Sequence, residues 1–205
     1  NYKTISDLLI QIIYKENLKI KFDFDLQTDL SKYGIKDVLA LREDILAIHE
    51  KYSESIQKIF NLPEFESFGG FVYNNKEAVL QNLLDLEEDL NEEIGLQKEY
   101  SKNTNNAVRK DLYKENIKTV KKIISRVTRL KTNLKADFSQ TLKSYKISET
   151  ATLNYSEVLI YVFLYHELFG FEKFLKFEYC VVDEGQDFSL LEYLVLGKFV
   201  QNGRF

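Results

Sequence analysis

Cysteine, proline, tryptophan and methionine are nearly or wholly missing from this chain. It has one Cys (Cys180), one Pro (Pro63), eight Gly, and no Trp or Met in 205 residues. A lone cysteine excludes an internal disulfide and points to a reducing, cytoplasmic setting. So few helix breakers predict long uninterrupted helices, because Pro and Gly are the residues a helix interior tolerates least. No stretch approaches the roughly 18 consecutive apolar residues of a membrane-spanning helix, so no membrane partner is expected. The start shows neither a signal-peptide pattern nor an initiating methionine, since residue 1 is Asn. It reads as an internal piece of a longer protein. There is no internal repeat, and no Gly-x-x-x-x-Gly-Lys-Ser/Thr loop of the kind that cradles phosphates; Gly197-Lys198-Phe199 is not one.

What is present supports a core. Apolar residues make up 44% and charged residues 29%, with a net charge of −4. Residues 4–16 form an amphipathic pattern with Thr4 or Ser6 as candidate N-cap. Residues 18–24 alternate apolar and charged, as a short strand or an extended linker would. Val38, Leu41, Ile45, Ile48, Tyr52, Ile56 and Ile59 recur every three or four residues and predict a helix over 36–60. Pro63 ends it. Residues 64–73 carry Phe65, Phe68, Phe71 and Tyr73 around Gly69-Gly70, an aromatic turn whose rings either close onto a core or stack bases.

Two further stripes predict helices over 76–100 and 107–145. They carry opposite charge. Residues 76–99 hold eight acids and two lysines, whereas 109–146 hold twelve basic residues and three acids. One reading is an antiparallel hairpin with salt-bridged flanks. The other is a basic arm whose Lys121, Lys122, Arg126 and Arg129 touch nucleic-acid phosphates.

From Tyr155 the composition changes. Residues 155–169 are apolar almost all round, as in a helix buried on more than one side, and Gly170 suits its C-cap. The apolar run Phe177-Glu178-Tyr179-Cys180-Val181-Val182 reads as a short buried strand. It leads into Asp183-Glu184-Gly185-Gln186-Asp187-Phe188, after which Ser189 is placed to cap a last helix over 190–199. In α/β nucleotide-hydrolysing domains a strand tip is where a carboxylate meets Mg²⁺ and a second acid faces the attacking water. His49 and His166 lack a second His or Cys at metal-ligand spacing, and Cys180 reads as a small buried hydrophobe.

The string Val181-Val182-Asp183-Glu184-Gly185-Gln186-Asp187 resembles motif II (Walker B) of superfamily 1 helicases of the UvrD/Rep/PcrA type. Leu153-Asn154-Tyr155-Ser156-Glu157-Val158-Leu159, Leu168-Phe169-Gly170 and Asp187-Phe188-Ser189 with Glu192-Tyr193 and Leu196 resemble the HelD-like subgroup, which associates with bacterial RNA polymerase. Near the start, Tyr2-Lys3-Thr4-Ile5-Ser6 is similar to the motif Ic region that contacts single-stranded DNA, the likeness resting on Thr4. The Gly-Asp-x-x-Gln motif and the arginine-bearing motifs of the second motor domain are missing.

This resemblance implies a mainly α chain with a partial α/β core of the RecA-like, P-loop NTPase kind and a long antiparallel helical insertion. Residues 1–24 and 150–205 would belong to one motor domain, and 25–149 would be the insertion. It implies ATP and Mg²⁺ as ligands, with Asp183 holding the metal, Glu184 polarising water, Gln186 sensing the γ-phosphate and Asp187 orienting its neighbours. The expected function is ATP-driven helicase or translocase action on DNA in a bacterial cytoplasm, or remodelling of RNA polymerase with the insertion as the interaction element. Without its phosphate loop the chain by itself would not hydrolyse ATP.

Overall fold

A computed structural model describes residues 4–26, 33–67, 76–171, 177–183 and 185–200. The protein is mainly helical. Among the described residues six α-helices follow one another: α1 (Ile5–Lys15), α2 (Ile35–Phe60), α3 (Val79–Asn103), α4 (Ala107–Ser144), α5 (Tyr155–Phe169) and α6 (Leu190–Phe199). All six lie where the sequence predicts them, α1 to α4 from apolar spacing, α5 from its all-round apolar character and α6 from the Ser189 cap. Two strands of two residues each, β1 (Lys21–Phe22) and β2 (Thr152–Leu153), pair in parallel, Lys21 with Thr152 and Phe22 with Leu153. The chain divides into two compact units, one of residues 1–47 and 137–205 and the other of residues 48–136.

The first unit contains α1, β1, β2, α5 and α6, with the ends of α2 and α4. Its helices are bounded by side chains. Thr4 caps α1 in a capping box with Asp7, Asn154 caps α5 with Glu157, and Ser189 caps α6 with Glu192. Each box satisfies two otherwise unpaired backbone N–H groups. Gly170 closes α5 at φ 75, a conformation that favours glycine. Eleven of the fifteen α5 residues are buried, as its all-round apolar character demands. Phe138 packs edge-on against Tyr161 and Phe169, with ring centroids 5.2 and 5.1 Å away. Asp23 N–H donates to the Leu153 carbonyl at 3.0 Å, just beyond the two-residue ladder.

The second unit is built on α3 and the first three-quarters of α4, with the end of α2. Gln97 accepts from Asn116, the Tyr100 and Tyr113 rings lie tilted with centroids 5.8 Å apart, and Glu87 meets Lys131. As the α3 number falls the α4 number rises, so the two helices run antiparallel. Leu83, Leu86 and Leu90 of α3 are buried, as are Val120, Ile123 and Val127 of α4. Buried Asn82 closes the entry to α3, its side chain bonding the Lys76 N–H and the Lys76 and Ala78 carbonyls. Of the aromatic turn, Phe65 is buried with its ring 5.4 Å from that of Phe60, which is core closure at that position; Phe68, Phe71 and Tyr73 lie outside the described residues.

One element differs from expectation. The apolar run 177–182 is not a buried strand among the described residues. Phe177 alone pairs, in a parallel bridge with Val200 and with its N–H on the Phe199 carbonyl at 2.7 Å. Tyr179 is 71% and Val181 84% exposed. A strand exists only through its ladder, and no described strand lies beside residues 178–182.

Candidate functional site

The acidic segment is anchored by α6, the helix on its C-terminal side. Asp183 sits in a turn, and Gly185–Asp187 forms a single 3-10 turn closed by the Phe188 N–H on the Gly185 carbonyl at 3.2 Å. The Tyr193 hydroxyl, from α6, donates to that same carbonyl at 2.6 Å. A Cβ on residue 185 would come within 2.5 Å of this hydroxyl. Glycine at 185 therefore lets α6 grip the turn. The Ser189 cap orients the start of α6, because the Glu192 carboxylate accepts from both the N–H and the hydroxyl of Ser189. The other oxygen of Glu192 accepts from Tyr155 of α5 at 2.6 Å. Burial and then this hydrogen bond push the Tyr155 hydroxyl far above its ordinary range, so it stays a donor.

A cavity of 1100 Å³ opens beside this segment. Thr4, Tyr155, Val182, Asp183, Phe188 and Glu192 are among the residues that line it. The structure thus brings Asp183 and Thr4 to the walls of one space. Gln186 and Asp187 are exposed in the 3-10 turn, and neither lines the cavity. Glu184 lies outside the described residues. Thr4 is occupied locally: its hydroxyl accepts from the Asp7 N–H at 3.1 Å and donates to the Asp7 carboxylate at 2.9 Å. The donors offered by Asp183, Gln186 and Asp187 are all hard oxygens. They suit Mg²⁺, which takes one or two carboxylates and keeps much of its water.

Lys121, Lys122, Arg126 and Arg129 are in the other unit, and all four are exposed on α4. None of them has an ion-pair partner among the described residues. The salt-bridged flank exists at one point among those residues, Glu87 to Lys131, which Thr128 also approaches at 3.5 Å.

Sequence reasoning missed a partly buried polar cluster. His166 and Glu167 of α5 meet Lys198 of α6, with the Glu167 carboxylate 3.2 Å from His166 Nδ1 and 2.8 Å from Lys198 Nζ. Burial alone would raise the Glu167 carboxyl, yet the hydrogen bonds from His166 and Lys198 outweigh it and hold the group below its ordinary range. The signal was an acid inside an otherwise apolar helix, which requires a cation from elsewhere.

No family model, no curated protein and no solved structure matches this chain.

Proposed function

We propose that this chain is part of an ATP-dependent DNA helicase or translocase of superfamily 1, and that residues 183–187 are its ATP-hydrolysis segment. The observation that carries this reading is Asp183 on the wall of a 1100 Å³ cavity, followed by a 3-10 turn clamped to α6 through Gly185 and Tyr193. Phosphoryl transfer asks a protein mainly to position groups and stabilise charge. A carboxylate at the edge of a large space, on a turn fixed from behind, suits that task. Asp183 would hold Mg²⁺, directly or through water, and the metal would supply charge neutralisation on the phosphates. Glu184 accepts a proton from the attacking water as general base. Gln186 reports on the γ-phosphate, and Asp187 orients its neighbours. The exposed cations of α4 supply the contact to DNA.

The test is ATP hydrolysis by the whole protein that carries this chain, with and without single-stranded DNA, comparing wild type with Glu184→Gln. DNA-stimulated hydrolysis that falls roughly 100-fold or more in the variant supports the reading, since general-base catalysis contributes on that order. Hydrolysis unchanged by Glu184→Gln removes Glu184 as base and with it the motif.

A second reading, a module that remodels RNA polymerase, has its own supporting observation. Leu96, Tyr100, Val108 and Leu112 lie around the turn between α3 and α4 and are 44%, 48%, 80% and 57% exposed. Exposed aromatic and aliphatic side chains gathered at one place mark protein contacts. The same experiment separates the two readings. Absence of hydrolysis in wild type shifts the weight to this binding module, with polymerase capture as its direct readout.

A further inference from the structure

Residues 116–136 contain seven basic residues and no acid. Four apolar members of this segment, Val120, Ile123, Val127 and Leu134, are buried, while Ile117, Ile124 and Leu130 are half-buried. Lys118, Lys122, Ser125 and Arg129 are spaced by four, three and four residues, which makes one stripe on a helix of 3.6 residues per turn. Lys121 and Arg126 flank it, and all six are exposed. Among the described residues Lys118 pairs only within its own helix, with Glu115 at 3.0 Å.

The geometry points to this stripe as a docking surface for the phosphate backbone of duplex nucleic acid, read without regard to base sequence. This rests on the nucleic-acid part of the function proposed above and specifies which form is bound, and where. Charge complementarity carries it. From residue 118 to residue 129 the stripe covers about 16 Å of helix, a length over which a duplex presents roughly ten backbone charges. The chemistry of the face excludes the nearest alternatives. Single-strand binders stack bases on aromatic rings, and residues 116–136 contain no aromatic side chain. Protein interfaces centre on exposed apolar and aromatic anchors and are poor in lysine, and no large apolar residue of this segment is exposed. Lysine and arginine interspersed with serine and threonine are the side chains that contact phosphate oxygens.

The experiment is fluorescence anisotropy of a mixed-sequence duplex, without nucleotide, over a salt series. Competitors are the single strand of equal length and poly-glutamate. The protein is the 205-residue chain and its variant K121Q/K122Q/R126Q/R129Q. Glutamine keeps helix propensity near that of lysine and arginine, and circular dichroism confirms that the variant is folded. Five contacts predict a slope of log affinity against log salt of about −4.5, or roughly a 500-fold loss from 50 to 200 mM. The variant is expected to lower the slope by about 3.6, whereas Lys98→Gln with Lys102→Gln on α3 leaves it unchanged. Three results would each overturn the proposal: a folded variant that binds duplex like wild type, tighter binding of the single strand, or equal binding of poly-glutamate. Tighter single-strand binding would spare the nucleic-acid motor reading. A protein that binds duplex as expected but hydrolyses no ATP would lose the motor reading and keep this one.

Discussion

Glu167 shows how one residue ties two helices. Its side chain is 13% exposed and receives His166 from its own helix and Lys198 from α6. Because its carboxyl is held below the ordinary value of 4.5, the charged form is favoured in the folded protein. A carboxylate with a depressed pKa contributes stability above its unfolded value, and the contribution is lost as pH falls through the folded value. Glu167→Gln is therefore expected to cost about 3 kcal/mol near neutral pH, the scale for breaking a buried ion pair. The difference from wild type should shrink as pH falls below the ordinary carboxylate range. Urea unfolding of both proteins at neutral and acid pH measures this, and a difference independent of pH would contradict it. None of this was legible in the sequence, where His166 stood out only for lacking a second metal ligand and Lys198 only for following a glycine that begins no phosphate loop. Partners 31 residues apart meet only when α5 and α6 pack together.

At the scale of elements, the helices were legible to within three residues at each end. Their signals are local: apolar spacing, Thr4 and Ser189 as caps, Gly170 as terminator. The apolar run 177–182 was not legible, because a strand depends on a partner that its own residues do not name. The α3–α4 pair yields a contrast between its two faces. Leu90 is fully buried, and Leu90→Ala is expected to destabilise the chain by about 2–5 kcal/mol through lost burial and the cavity left behind. The quadruple glutamine variant on the opposite face of α4 should change stability by no more than about 0.5 kcal/mol per substitution, as exposed substitutions do. Thermal or urea unfolding of the two variants side by side tests the assignment. Similar losses in both would mean that the cations are part of the packing.

For the whole molecule, charge is distributed rather than summed. A net charge of −4 opposes a polyanion, yet acids are concentrated on α3 and bases on α4, and the proposed docking depends on the local stripe rather than on the sum. Among the described residues no helix is long and apolar enough to cross a membrane. The proposed motor reading also makes a prediction for the chain by itself. No Gly-x-x-x-x-Gly-Lys-Ser/Thr loop is present, so the 205 residues are expected to release no phosphate from ATP above background, with or without DNA. Phosphate release assays check this. Turnover by the isolated chain would mean that residues 183–187 hydrolyse ATP with another cradle, or that the site lies elsewhere.

The sequence by itself determined the helical class, the place of each helix and its caps, because periodicity and capping act within a turn or two of chain. It also placed the acidic string directly before a capped helix. Tertiary structure alone decided the parallel pairing of residues 21–22 with 152–153, the grip of Tyr193 on Gly185, the His166–Glu167–Lys198 cluster and the solvent-facing direction of the basic stripe. Each of these depends on which surfaces meet, and burial and pairing across long loops are set by the packed whole rather than by any single segment.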